Sequence, residues 1–249
     1  MSAEKELEGL AAIVTGSTGN IGRNIAISLA KAGAGVVING RTSGEVAAEV
    51  VKEVEDAGGK AIICLADVTN EEQVQGMIDA AVQEFGRLDL LVNNVGPASS
   101  GAVTDITYDE WRHYMATKLD SAFLCIKASI PHLAKNGRGA IINIGASSAH
   151  TGNPNRSVDV AAKMGLAGLT GALAVELADQ NITVNCVAPG RIQRPGAISA
   201  HFQAKPIPAG REGTPEEFAE TVRFLCGPNS RYTTGQTLHV NGGWYVSIN

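Results

Sequence analysis

The sequence predicts an α/β fold, a doubly wound parallel sheet flanked by helices, in a single domain spanning residues 1–249. Three observations carry this reading. Short apolar runs alternate with stretches of helical periodicity along the whole chain, and glycine-containing or turn-forming segments follow the apolar runs. A chain of 249 residues with 44% hydrophobic content can also bury one large core, and no linker or repeat divides it.

The elements follow in order. The run Leu10-Ala11-Ala12-Ile13-Val14-Thr15 leads into Gly16-Ser17-Thr18-Gly19-Asn20-Ile21-Gly22, after which Ile25, Leu29 and Ala30 recur at helical spacing. This is a strand, a glycine-rich turn and a helix. In such a turn glycines let the backbone approach a pyrophosphate, whose charge is favoured by the N–H groups and dipole of the helix start. A second strand, Val36-Val37-Ile38-Asn39, ends at Gly40-Arg41-Thr42. Asp67-Val68 follows a third strand and Asn93-Asn94-Val95-Gly96 a fourth. A long helix covers about residues 111–132, and Ala140-Ile141-Ile142-Asn143-Ile144-Gly145 is the fifth strand. Another helix follows Asp159. The strand Val184-Asn185-Cys186-Val187 runs into Pro189-Gly190, and residues 234–243 complete the pattern.

Composition excludes several functions. A net charge of −5 and a pI near 5.6, with scattered Lys and Arg, give no electrostatic footprint for nucleic acid. Cys64, Cys125, Cys186 and Cys226 lie far apart in apolar segments, without the close pairing of metal sites, and read as buried reduced thiols. No metal site is predicted. The first eight residues are too acidic for a secretory signal, and no apolar run approaches the ~20 residues of a membrane span, so the chain is read as cytoplasmic, with no membrane partner.

The set of Gly16–Gly22, Asp67-Val68, Asn93 to Gly96, Pro189-Gly190 and residues 234–243 resembles the short-chain dehydrogenase/reductase family across essentially the whole chain. The resemblance implies a Rossmann-like fold and a nicotinamide cofactor. It places Gly16, Ser17, Asn20, Ile21 and Gly22 at the phosphates, Asp67 and Val68 at the adenine, Asn93 and Gly96 below the ribose, and Lys163, Pro189, Gly190 and Ile192 along the nicotinamide half. Relatives that prefer NAD usually carry an acidic residue at the position of Gly40, whose carboxylate accepts from the ribose hydroxyls. That anion is missing here, and the guanidinium of Arg41 suits a 2′-phosphate, so NADP(H) is favoured over NAD(H). A solvated Arg41 and a turn or cap role for Asp67 are the plainer alternatives. Two positions depart from the family. Asn20 replaces the usual second glycine, a position where asparagine's tolerance of left-handed backbone angles preserves the turn, and Arg194 replaces a threonine.

The catalytic positions depart further. The family uses an asparagine, a serine, a tyrosine and a lysine. Lys118 holds the asparagine position, Ala146 the serine position and Asp159 the tyrosine position, so only Lys163 remains. A register shift of one would restore the serine as Ser147, but no shift restores a tyrosine. A catalytic phenol is tuned from a pKa of ~10 toward neutrality, whereas a carboxyl begins near ~4 and neighbouring cations push it lower. Asp159 and Lys163, at i and i+4, are positioned to pair on one helix, with Lys118 approaching from the opposite wall.

Three functional readings are open. The first is hydride transfer with NADP(H) to or from a carbonyl or conjugated enone, the proton partner being Asp159, a water, Lys163 or Lys118; dienoyl-CoA reductases are similar in scaffold and lack the usual tyrosine arrangement. The second is a lyase, isomerase or dehydratase with Asp159 as base and His150 as proton shuttle. The third is a non-catalytic protein that binds NADP(H) or a metabolite, with Asp159–Lys163 a surface ion pair. A small-molecule substrate is expected, and Lys118, Arg156, Arg191 and Arg194 would suit an anionic one. Residues 191–213, rich in proline and glycine, read as a lid or a long connection. By resemblance, the helices around residues 111–132 and after Asp159 pair copies into a homo-oligomer, a dimer or homotetramer.

Overall fold

The computed structural model describes residues 5–194 and 206–246. Its centre is the pair β1 (Ala11–Val14) and β4 (Leu90–Asn93), two strands with every residue buried. Burial on both faces is why they read as unbroken apolar runs rather than alternating ones. From β1 the chain winds outward through α1 (Asn20–Lys31), β2 (Gly35–Gly40), α2 (Gly44–Asp56) and β3 (Lys60–Leu65). It then returns through α3 (Glu71–Phe85) to β4 and winds the other way. That half comprises α4 (Tyr108–Met115), α5 (Ser121–Lys135), β5 (Gly139–Ile144), α6 (Ser147–Thr151), α7 (Ser157–Glu176), β6 (Ile182–Pro189), α8 (Pro215–Cys226) and β7 (Thr237–Val240). All seven strands are parallel, in the order β3-β2-β1-β4-β5-β6-β7. The direction of winding reverses between β1 and β4, and such a reversal opens a crevice at the carboxyl ends of the strands.

Successive strand residues serve opposite faces. Ala12, Val14, Val36 and Ile38 pack with Ile25 and Leu29 of α1, Val50 of α2, and Phe218 and Val222 of α8. Ile13 and Val37 point the other way, against Met77 and Ile78 of α3, Ile126 and Leu133 of α5, and Ala174 of α7. Three layers result, as the doubly wound reading requires.

Two elements differ from the sequence reading. The helix expected over residues 111–132 is α4 and α5 joined by a π-helical turn, Ala116–Asp120. Such π-turns occur mostly as single-turn insertions inside α-helices, with helical spacing kept on either side, so the segment reads as one helix. Thr107 begins α4 with a capping box, its hydroxyl accepting from the Glu110 amide while the Glu110 carboxylate accepts from the Thr107 amide. The second difference is α7. With 20 residues and a mean hydropathy of 1.4, it is long and apolar enough to cross a membrane by length and composition, the one such helix among the described residues. Asp159 and Lys163 interrupt its apolar run near the start, and beyond Lys163 the next charged residue is Glu176 at its end. Its inner residues Leu169, Leu173 and Ala174 pack on the sheet in this protein.

One buried charge ties the central strands at their amino ends. Asp89, with no exposed side-chain surface, accepts from the Ala11 amide at 2.9 Å and from Arg87 Nε and Nη2, each at 2.7 Å. Asp89→Ala is therefore expected to destabilise the fold by about 3 kcal/mol, because it leaves a half-buried guanidinium and the first β1 amide without their acceptor. Urea unfolding of parent and variant measures it; a difference under about 1 kcal/mol would contradict this account.

Candidate functional site

The crevice holds a cavity of about 600 Å³. One wall is the glycine-rich turn. Gly16 takes a positive φ of 61°, and a side chain at Gly22 would sit 2.6 Å from the Gly16 carbonyl and 2.5 Å from Asn94 Nδ2, so the turn closes only with glycine there. Asn94 clamps the turn, donating from Nδ2 to the carbonyls of Thr15 at 3.0 Å and Gly16 at 3.1 Å. Asn20 needs no left-handed backbone: it opens α1 in helical conformation, and the positive-φ non-glycine residues among those described are Asn155 and Asn181. Its amide group instead donates to the Gln193 carbonyl at 2.6 Å, joining the turn to the segment after β6. The α1 N-cap, Gly19, provides no side-chain cap, so the N–H groups at Asn20, Ile21 and Gly22 are left to the cavity they line. A helix start without a side-chain cap over a glycine turn fits a dinucleotide's pyrophosphate.

The opposite wall carries the titratable groups. The π-turn carries Lys118 inward to 1% exposure, the largest fully buried side chain of those described. Its ammonium contacts Asp159 Oδ1 directly, donates to Ser99 Oγ at 2.9 Å and lies 4.6 Å from the centre of the Tyr114 ring. Asp159 is filled with donors. Oδ1 accepts from Lys118 and from Ser99 Oγ at 2.9 Å, while Oδ2 accepts from Arg156 Nη1 at 3.0 Å and the Ser99 amide at 3.3 Å. Burial works to raise the Asp159 pKa, but the hydrogen bonds from Lys118, Ser99 and Arg156, with the Lys118 charge, outweigh it, and the carboxyl titrates below the ordinary aspartate range. The expected i, i+4 pair with Lys163 does not form. Lys163 donates to the Ile144 carbonyl at 2.6 Å, beside Gly96, where an added Cβ would lie 3.1 Å from Nζ. Burial, and secondarily the Lys118 charge, lowers the Lys163 pKa to about 8 against the opposing pull of Cys186 and Asp159.

Other predicted residues fall into three groups. Gly16, Asn20, Ile21, Gly22, Gly96, Lys118, Asp159, Lys163, Pro189, Gly190, Ile192 and Arg194 all line the cavity. Ser147, His150, Ser17 and Asn93 are not among its lining residues. Ser147 is buried, with its hydroxyl directed to the Ala188 carbonyl and His239 Nδ1, each at 3.1 Å; Ala146 and Ser148 face the cavity instead. His150 packs on His239 and Tyr245, with ring centres 4.7 Å and 5.6 Å away. Ser17 is spent on the backbone of Asn39, whose amide it accepts at 2.8 Å. Asn93 donates to Asn143 at 2.9 Å inside the core, and its neighbours Asn94 and Val95 line the cavity. The third group lies outside the cavity on the β2 and β3 side. Arg41 is exposed and 3.9 Å from Asp67, whose Oδ1 accepts from the Thr69 amide at 2.9 Å and hydroxyl at 2.7 Å, a turn role. Val68 is buried beneath them in the core. At Gly40 an added Cβ would stand 2.9 Å from the Thr18 methyl, so a side chain there requires Thr18 to shift.

Sequence reasoning missed Ser99, Asn94 and Tyr114. For Asn94 a signal was present, the Asn-Asn pair directly after a strand; Ser99 and Tyr114 carry none. The lid reading concerns residues 191–213, of which 195–205 lie outside the described residues. The flanks are joined, Gln193 donating to the Gly213 carbonyl at 2.9 Å and Gly213 to that of Arg191 at 3.0 Å.

Residues 16–245 match the sequence profile described as enoyl-(acyl carrier protein) reductase. A 3-oxoacyl-[acyl-carrier-protein] reductase of Staphylococcus aureus is 39% identical over 240 residues, 94% of this chain and 98% of that one. Among solved structures, a dehydrogenase/reductase of Sinorhizobium meliloti is 34% identical, with a TM-score of 0.92 over 98% of each chain. A 7α-hydroxysteroid dehydrogenase in complex with NADH and 7-oxo glycochenodeoxycholic acid is 32% identical, with a TM-score of 0.91 over 99% of this chain and 98% of that one.

Asp159→Asn leaves the Lys118 ammonium buried without its counter-charge and is expected to cost about 3 kcal/mol at neutral pH. Because the folded carboxyl titrates below its unfolded value near ~4, its contribution is complete above that value and is lost as pH falls through the lower folded one. Urea unfolding across pH should show a wide gap between parent and variant at neutrality that closes on acidification; a gap independent of pH would contradict the assignment.

Proposed function

Because the chain belongs to the short-chain dehydrogenase/reductase family, we propose that it is an NADP(H)-dependent oxidoreductase moving hydride to or from a carbonyl or conjugated enone, with Lys163 in place of a tyrosine as proton partner. The observation that carries this reading is the division of labour between the two lysines on the cavity wall. Lys118 is paired with a carboxylate that has no acceptor position left, while Lys163 faces the same cavity with a backbone carbonyl as its partner and a pKa near 8.

When bound, the reduced nicotinamide supplies the hydride. The start of α1 would hold the pyrophosphate and Lys163 the ribose beside the nicotinamide. Arg41 would take a 2′-phosphate, a choice supported by the lack of a carboxylate at Gly40 to accept from the ribose hydroxyls. As negative charge develops on the substrate oxygen, the fixed Lys118 ammonium stabilises it without reorganising. The Lys163 ammonium then gives up one proton to the oxygen or enolate carbon, and the resulting amine regains it from water. Asp159 acts as a positioning residue that holds Lys118 in place, and the alternative in which it serves as a general base has no open carboxylate lone pair to support it. Arg194 on the cavity wall suits a substrate or cofactor anion. An acyl thioester is the substrate class closest to the names of the relatives. Exposed Met164 and Val175 on α7 and Phe123 on α5 give apolar surface for pairing copies into a dimer or tetramer.

Calorimetric titration with NADP(H) and NAD(H) tests the cofactor. Micromolar NADP(H) binding, weakened at least tenfold in Arg41→Ala and exceeding that of NAD(H), is expected; no binding of either nucleotide overturns the proposal. The proton partner has its own test in the pH profile. Reduction of a 3-oxoacyl thioester should hold its rate below about pH 8 and decline above it as the Lys163 ammonium is lost. Lys163→Arg should abolish that decline while lowering kcat about 100-fold, and a profile unchanged in the variant would exclude Lys163.

A further inference from the structure

The two walls of the cavity are joined at its phosphate end. The glycine-rich turn and the start of α1 form one wall, and Pro189, Gly190, Ile192 and Arg194, after β6, form part of the other. The exposed Asn20 side chain connects them, Nδ2 donating to the Gln193 carbonyl at 2.6 Å. By family resemblance glycine is usual at this position, and glycine has no side chain to make the contact.

Both ends of this bridge are firmly held. On the Gln193 side, an added Cβ at Gly190 would lie 2.6 Å from Asn241, so the chain leaves β6 pressed against the end of β7. The Gln193 amide donates to the Gly213 carbonyl at 2.9 Å, and the Gly213 amide to that of Arg191 at 3.0 Å. Thr214 follows directly and caps α8, its hydroxyl accepting from the Glu217 amide at 3.2 Å. On the Asn20 side, α1 packs along α8, and Ser28 Oγ donates to Glu220 at 2.8 Å. Donor and acceptor therefore meet without a free loop having to be ordered, which keeps the entropic cost of the contact small.

The bridge crosses the cavity and does not fill it. About 600 Å³ stays open with the bridge made, a volume of ligand size. The α1 amides suited to a pyrophosphate begin at Asn20 itself, so the bridge springs from the residue where that group would be held.

We propose that Asn20 and Gln193 form a clasp across the pyrophosphate end of the cavity, one that opens to let a dinucleotide in or out and closes again over it. This rests on the dinucleotide reading of the cavity proposed above. Opening needs one exposed side chain to rotate and one neutral hydrogen bond to break. Because the bond is present both before entry and after it, the clasp slows entry and exit by similar factors and leaves the affinity nearly unchanged. Two other roles for an amide at this place have different signatures. A ligand of the phosphate slows exit alone, and an obstruction standing where glycine is usual slows entry alone or also speeds exit.

Stopped-flow fluorescence of NADPH with the full chain separates these roles, association being followed over a concentration series and dissociation by displacement with excess NADP. Asn20→Ala removes the amide group and favours the helix, while Asn20→Gly supplies the residue usual in relatives. Expected is a rise of about fivefold in both rate constants in both variants, the scale of one net hydrogen bond, with Kd changing less than twofold. The proposal is overturned by rates within twofold of the parent, by a change in one rate constant alone, by rate constants that change in opposite directions, or by an effect in Asn20→Gly that Asn20→Ala lacks, which belongs to the backbone. Each of those results leaves NADPH binding intact and the cofactor reading standing. Absence of NADPH binding in all three proteins overturns that reading and the clasp together.

Discussion

The contact between the Lys118 ammonium and the Asp159 carboxylate governs the site. An ammonium at 1% exposure is stable only beside a charge of opposite sign, and Asp159 supplies it from α7, 41 residues away in sequence. The pair cannot be considered without its supports. Ser99 contributes both its hydroxyl and its amide to the carboxylate, and Arg156 bridges the Ser99 carbonyl at 2.9 Å and Asp159 Oδ2 at 3.0 Å. Four segments, the β4 loop, the π-turn, the approach to α7 and α7 itself, thus converge on two oxygens. Removing either charge would leave the other in a poorly solvated place, which makes this cluster stiff as well as specific.

That stiffness separates two residues of the same chemistry. Lys118 and Lys163 line one cavity, yet the first is matched by a carboxylate and the second faces a backbone carbonyl, with burial lowering its pKa to about 8. Environments that push like groups apart are how a protein obtains two roles from one side-chain type. In the proposed reaction the paired lysine is an electrostatic fixture and the desolvated one exchanges the proton. Asp159, standing where a phenol is expected by family resemblance, belongs to the fixture.

The sheet makes this arrangement possible by exposing different chemistry at its two ends. At the carboxyl ends of β1 and β4 the winding reverses, and backbone N–H groups of the α1 start, the Asn94 clamp and the lysines meet around open space. At the amino ends the strands are closed by arginines: Arg87 through Asp89 at β1 and β4, and Arg231 through carbonyls at β5 and β6.

Much of this was legible in the chain itself because it is local. Apolar runs, helical spacing and glycines such as Gly16 and Gly22 depend on neighbours a few residues away, so the strand, turn and helix order, the parallel doubly wound sheet and the residues of the glycine-rich turn could all be read from them. Asp159, Lys118 and Lys163 were likewise marked as site residues by position. What failed were inferences about direction and about which charges pair, although the approach of Lys118 to Asp159 from the opposite wall was expected and is found. Spacing on one helix suggested Asp159 with Lys163, but a carboxylate joins the charges that packing brings nearest, and the π-turn turned Lys118 inward to it. Ser147 and Asn93 were each one residue from a cavity-lining position and yet face the interior, because neighbouring residues point in different directions and only assembled strands and helices determine which direction is inside. The sequence by itself therefore determined the fold and which residues cluster at the strand ends; the tertiary structure alone decided which of them pair, which stay charged and which face the cavity, since those depend on distances between atoms far apart along the chain.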